Sequence, residues 1–162
     1  MNAAHLHLLV NHLPIIGFAF GLILLVGTIL RRGDRGMFTA AVLVVVISGA
    51  GGLAAQFTGE PAEEVVEHLA DVPKALIETH EGAALIATIL ASITTLLAIA
   101  LSFVTLRREG RIGVIPLLIL LGATVVAYGA MAWAGSTGGK IRHSEIRGST
   151  STTPASGVRG DD

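Results

Sequence analysis

The stretch Leu13–Leu30, LPIIGFAFGLILLVGTIL, followed at once by Arg31-Arg32-Gly33-Asp34-Arg35, decides the fold. The apolar part contains no Lys, Arg, Asp or Glu, and as a helix it is about long enough to cross a hydrocarbon core of ~30 Å. Three further runs repeat the pattern: Met37–Phe57, Gly82–Leu106 and Ile112–Gly135. The third and fourth are separated by a second basic loop with Arg107, Arg108 and Arg111. Short arginine-rich loops stay on the cytoplasmic side of a membrane. The expectation is an all-α, polytopic membrane four-helix bundle. Both termini and the Thr58–Glu81 connection then face outward, and His5, His7, His12, His68, His80 and His143 go with them.

Composition points the same way. The 162-residue chain is 52% hydrophobic and 14% charged, with mean hydropathy +0.72, far from an ordinary soluble domain. A formal net charge of −1 gives no sign of nucleic-acid binding. The outer connection is acidic, carrying Glu60, Glu63, Glu64, Glu67, Asp71, Glu78 and Glu81 against Lys74 alone. There is no cysteine, which excludes disulfides, Fe–S clusters, thiolate metal sites and covalent haem attachment. The N-terminus lacks the basic region of a cleavable signal, so the first run is expected to remain as a span. No span carries an ionisable group of the kind that pumps, channels and coupled transporters keep inside the bilayer. Any chemistry is therefore expected at the outer face.

Local signals refine the course of the chain. Asn2 can cap a short helix carrying His5 and His7, and Pro14 predicts a bend near Asn11–Pro14 rather than a break. Pro61, followed by Ala62, Val65, Val66 and Leu69 at helical spacing, predicts a short amphipathic helix in the outer connection. Asp71 reads as an N-cap with Pro73 in the first turn of a helix that runs to Leu106, ~50 Å long. Gly17 with Gly21, and Ser48 with Gly52, form small-residue pairs that let helices approach, facing either a neighbour in the bundle or a second copy. Tyr128 and Trp133 lie toward the outer end of the fourth run, at interfacial depth. The membrane domain spans 1–147. The remainder, 148–162, is Ser, Thr, Gly and Pro without apolar period and reads as a disordered tail.

Which histidines meet depends on height and face. Counting ~1.5 Å per residue from the inner arginines puts His12 ~28 Å up, His5 and His7 ~36–39 Å and His80 ~40 Å. His5 and His12 share a helical face, whereas His5 and His7 point roughly opposite ways. His80 follows the stripe of Leu76, Ile77 and Ala84, so it is expected to point into the bundle.

Several pieces, taken together, are distinctive: His7-Leu-Leu-Leu-Val-Asn-His12-Leu-Pro14-Ile-Ile-Gly17, Thr58-Gly-Glu-Pro-Ala-Glu-Glu64, Glu67-His68, His80-Glu81 and Gly138-Gly-Lys-Ile-Arg-His143-Ser-Glu-Ile-Arg147. They resemble an uncharacterised family of small bacterial four-span membrane proteins. The chain also looks like a relative of the broader group of predicted membrane proteins whose first helix opens with a His-Phe-Pro-like motif. The likeness covers nearly the whole chain to Arg147, through His12, Pro14, Thr58, Gly59, Glu60, Glu64, His68, His80, Glu81, Gly139, Arg142, His143 and Glu145. It implies a four-helix bundle in a bacterial inner membrane and brings no activity with it.

Three functional classes follow. In the first, outer histidines ligate haem b, making the chain an electron-transfer subunit without catalysis of its own and a partner of other membrane redox subunits or of a second copy. His80 with His12 or His5 is the expected axial pair, and Arg142, Lys140 and Arg147 would meet the propionates. In the second, Glu64, His68, His80, Glu81 and His143 supply an outer-face zinc or copper site. In the third, the chain is an accessory subunit with no cofactor. Its histidines are then satisfied polar groups, and Lys140, Arg142 and Arg147 dock onto the acids of the outer connection.

Overall fold

Residues 2–66 and 72–147 are described by a computed structural model. The predicted tail at 148–162, the Asp71 cap, Glu67, His68 and Leu69 lie outside the described residues. Among the described residues every regular element is helical: α1 Ala3–Val10, α2 His12–Leu30, α3 Arg35–Val66, α4 Lys74–Leu106, α5 Val114–Arg142 and a 3-10 turn at Ser144–Ile146. A chain with these apolar runs has little choice, because in hydrocarbon a helix satisfies its own amides while an open strand edge cannot.

α1 and α2 form one span with an interruption at Asn11. The Asn2 side chain caps the first turn by accepting the His5 amide at 2.9 Å, as expected. Asn11 keeps right-handed helical angles, so the chain passes through the interruption without breaking. α4 runs unbroken from Lys74 to Leu106, with Pro73 at the N-cap rather than inside the first turn. α3 is longer than its apolar run predicts. It continues through Pro61 to Val66, so the segment expected as a separate amphipathic helix is, as far as Val66, the tail of the second span. Pro61 leaves one carbonyl four residues back without a helical donor. That carbonyl belongs to Phe57, whose residue is 79% exposed, at the end of the apolar run where water can serve instead.

The four long helices are each long and apolar enough to cross a membrane. Their packing is inverted relative to a water-soluble bundle. Small residues line the inside, with Ala83, Ala87, Ala91 and Ala98 along α4, Gly49, Gly51 and Gly52 on α3, and Ala127 and Ala134 on α5. Bulky Leu30, Leu96, Phe103 and Ile115 face outward. Such a surface is compatible with contact with lipid tails. The glycine pairs act within the bundle. Gly17 meets Ser48 so closely that a β-carbon there would strike its hydroxyl, and Gly21 leaves room for Val45. Three of the buried hydroxyls are satisfied by their own helices: Thr28, Ser48 and Thr124 donate to carbonyls four residues back at 2.6–2.8 Å.

The two arginine loops close one end of the bundle together. Arg35 donates to the carbonyls of Leu106 and Arg108 at 2.6 Å and to Gly110 at 3.2 Å. Arg111 answers from the other loop, donating to Arg31 and Arg32 at 2.6 and 3.2 Å. Each guanidinium thus binds carbonyls at the C-terminal end of the opposite hairpin's first span and in the loop just beyond it. Gly33 has φ +79° and its carbonyl receives the Ile112 amide at 3.0 Å. A β-carbon on Gly33 would also collide with the Ile112 carbonyl, so only glycine fits.

Candidate functional site

At the end of the bundle opposite the arginine loops, the apolar core gives way to a polar layer to which all four spans contribute. The inward stripe of the first span is Phe18, Pro14, Asn11 and His7, at spacings of four, three and four residues. His7 is half-buried against α3. Its Nδ1 lies 3.1 Å from the Thr58 hydroxyl, which itself donates to the carbonyls of Ala54 at 2.9 Å and Ala55 at 3.1 Å. The hydroxyl has a single proton, so it can donate to one of these carbonyls and accept from His7, or donate to His7 Nδ1. When a carbonyl takes that proton, His7 donates from Nδ1 and its Nε2 carries a lone pair.

His80 reaches the same layer from α4. Its Nδ1 is 3.0 Å from the carbonyl of Ala134 and 3.2 Å from the Thr137 hydroxyl. Thr137 donates to the same Ala134 carbonyl at 2.8 Å. A carbonyl cannot donate, so the proton is on Nδ1 and Nε2 is bare. Gly138 makes this approach feasible, since a β-carbon there would stand 2.9 Å from His80 Cε1. Among the described residues, His7 and His80 are the histidines that are half-buried. Below them the Thr88 hydroxyl donates to Gln56 at 3.2 Å, and Asn11 Oδ1 is buried without a hydrogen-bond partner.

His80 thus points inward, as the stripe predicts, and the first-span histidine that is half-buried is His7 rather than His5 or His12. Both of those are exposed, with His12 Nδ1 3.1 Å from the Leu8 carbonyl of its own helix. The shared face of His5 and His12 is real, and it is the outward one. The signal that picks out His7 is its register with Pro14 and Phe18, which places it on the buried stripe once α1 continues into α2 without a break.

Among the described residues the expected second-class ligands are not brought together. No group of three or more His, Asp or Glu side chains among those residues is placed to hold a metal ion. Glu64 and Glu81 are exposed. His143 pairs with Glu145 at 2.8 Å, and His68 is not among the described residues. The basic segment also differs from expectation. Arg147 directs Nε to the Lys140 carbonyl and a terminal nitrogen to that of Ile141, both at 2.7 Å, closing the end of α5. Among the described residues the ion pair formed is His143–Glu145, so the expected docking of Lys140, Arg142 and Arg147 onto the acidic connection is not seen there. Backbone amides first, and then His143, hold the exposed Glu145 carboxyl below the usual carboxylate range.

Fold and layer define a class: a multi-pass helical membrane protein whose apolar bundle carries a layer with two half-buried histidines near one end. No protein-family model, no curated protein and no solved structure matches the chain.

Proposed function

We propose that this protein is an electron-transfer subunit of a bacterial inner membrane that holds haem b at its histidine end, with both termini on the outer side. The observation that carries the reading is the pair of half-buried imidazoles, His7 and His80, each held through Nδ1 by a group on a neighbouring helix. A partner at Nδ1 is the arrangement that orients a ligating histidine through its Nε2. Two neutral imidazoles without any cysteine are the donor set of a non-covalent b-type centre. When bound, haem b supplies a one-electron couple at its iron.

The chain's own residues do the rest. Ala134 fixes the His80 tautomer, Thr58 holds His7 Nδ1, and Gly138 gives the His80 ring its place against α5. Lys140 and Arg142 follow in the last turns of α5 and provide cationic partners for propionates, whereas Arg147 is engaged by carbonyls. The basic loops, with six arginines between residues 31 and 111, support the orientation. The lipid-facing perimeter leaves room for partner redox subunits or a second copy.

A second reading is favoured by a different observation. His7–Thr58 and His80–Ala134 each join two spans, so the layer can serve as a polar latch in an accessory subunit. The absorption spectrum of purified protein separates the readings. The haem reading expects a Soret band that shifts on dithionite reduction, with sharp α and β bands. A featureless spectrum from cells supplied with ample haem would leave the latch.

A further inference from the structure

We propose that the arginine end is a binding site for the phosphate headgroup of an anionic phospholipid, formed by Arg31, Arg32, Arg107 and Arg108. The six arginines of the two loops fall into two groups by what they touch. Arg35 and Arg111 are spent on backbone carbonyls and hold the loops against each other. Arg31, Arg32, Arg107 and Arg108 are exposed, and the carbonyls of three of them are the ones that Arg35 and Arg111 grip. The clasp therefore presents these guanidinium groups from one small surface.

Charge and depth select the ligand. Six arginines against Asp34 and Glu109 leave this end with a formal charge of +4. Asp34 is further occupied, since its Oδ1 accepts the Met37 amide at 2.8 Å. The central guanidinium carbon of Arg107 stands over the Phe103 ring, 3.7 Å from its centroid. Phe103 is itself exposed on the apolar surface. That contact anchors a guanidinium at the edge of the hydrocarbon region while its in-plane N–H groups remain available to phosphate oxygens. A soluble anion has no reason to prefer this depth. A lipid headgroup is there already, and juxtamembrane arginines attract anionic lipids.

The test uses the full-length protein in a zwitterionic detergent, with native mass spectrometry of bound phosphatidylglycerol and phosphatidylcholine offered in equal amounts. The expected result is retained phosphatidylglycerol in preference to phosphatidylcholine, with relative occupancy falling about fivefold for each exposed arginine replaced by Gln. A variant carrying Lys at all four positions keeps the charge and should keep most of the preference. It also guards against loss of fold or of membrane orientation in the Gln series. Equal retention of the two lipids by the wild-type protein overturns the proposal. So does displacement of phosphatidylglycerol by inorganic phosphate at the same concentration, which would make the site a phosphate site rather than a lipid site.

Discussion

The His80 ring rests against the backbone of Gly138, where an added β-carbon would meet Cε1 at 2.9 Å, Nδ1 at 3.1 Å and Nε2 at 3.3 Å. This contact fixes the height and direction of His80, because the same nitrogen must also reach the Ala134 carbonyl one turn earlier on α5.

Gly138→Ala should therefore displace the imidazole despite alanine's better helix propensity. We expect a net loss of ~1–2 kcal/mol, read from thermal unfolding in detergent. Gly122→Ala and Gly129→Ala supply the comparison. Neither site has a heavy atom within 4 Å of the new carbon, so they should be neutral or stabilising by up to ~1 kcal/mol. Equal effects at all three glycines would contradict the His80–Gly138 packing.

The reciprocal arginine clasp makes a second prediction. Arg35→Gln removes donors from three carbonyls and Arg111→Gln from two. Each should cost ~1–2 kcal/mol, at the low end for hydrogen bonds to a charged group because both sites are partly hydrated. Lysine cannot reproduce the fork, so Arg35→Lys should recover little. Full rescue by Lys in an unfolding titration would show that charge alone matters at this position.

Acidification should loosen the end of α5. The Glu145 carboxyl titrates below its ordinary range because of backbone amides and His143. A depressed folded-state value means the contribution is complete above the ordinary carboxylate range and is lost as pH falls through the lowered value. Exchange of the Ile146 and Arg147 amides, which bond to the His143 and Ser144 carbonyls, should accelerate in that acidic window after correction for intrinsic rates. Glu145→Gln should remove the pH dependence. An unchanged profile in that variant would dissociate the turn from Glu145.

Much of the architecture is legible in the residues. The spans follow from charge-free runs, while the inward direction of His80 follows from its stripe with Ile77 and Ala84. The choice of its first-span counterpart does not. Heights counted along straight helices make His5 level with His80, but height says nothing of azimuth. The azimuth is set by Phe18 and Pro14, whose burial selects His7 and turns His5 and His12 outward. Pro61 misleads for a related reason, since a proline near the end of a long helix loses only one hydrogen bond where water can replace it. The arginines serve a sequence reading as topological markers. Their grip on carbonyls far along the chain depends on how the two hairpins pack.

The most direct measurement is the oxidised and dithionite-reduced spectrum of wild-type protein beside His7→Ala, His80→Ala, His5→Ala and His12→Ala. We predict a reducible Soret band in the wild type that is lost or strongly shifted in the first two variants and kept in the last two. Wild-type protein from haem-replete cells with no Soret band, or a band lost with His12 rather than His7, would contradict the assignment of the His7–His80 pair.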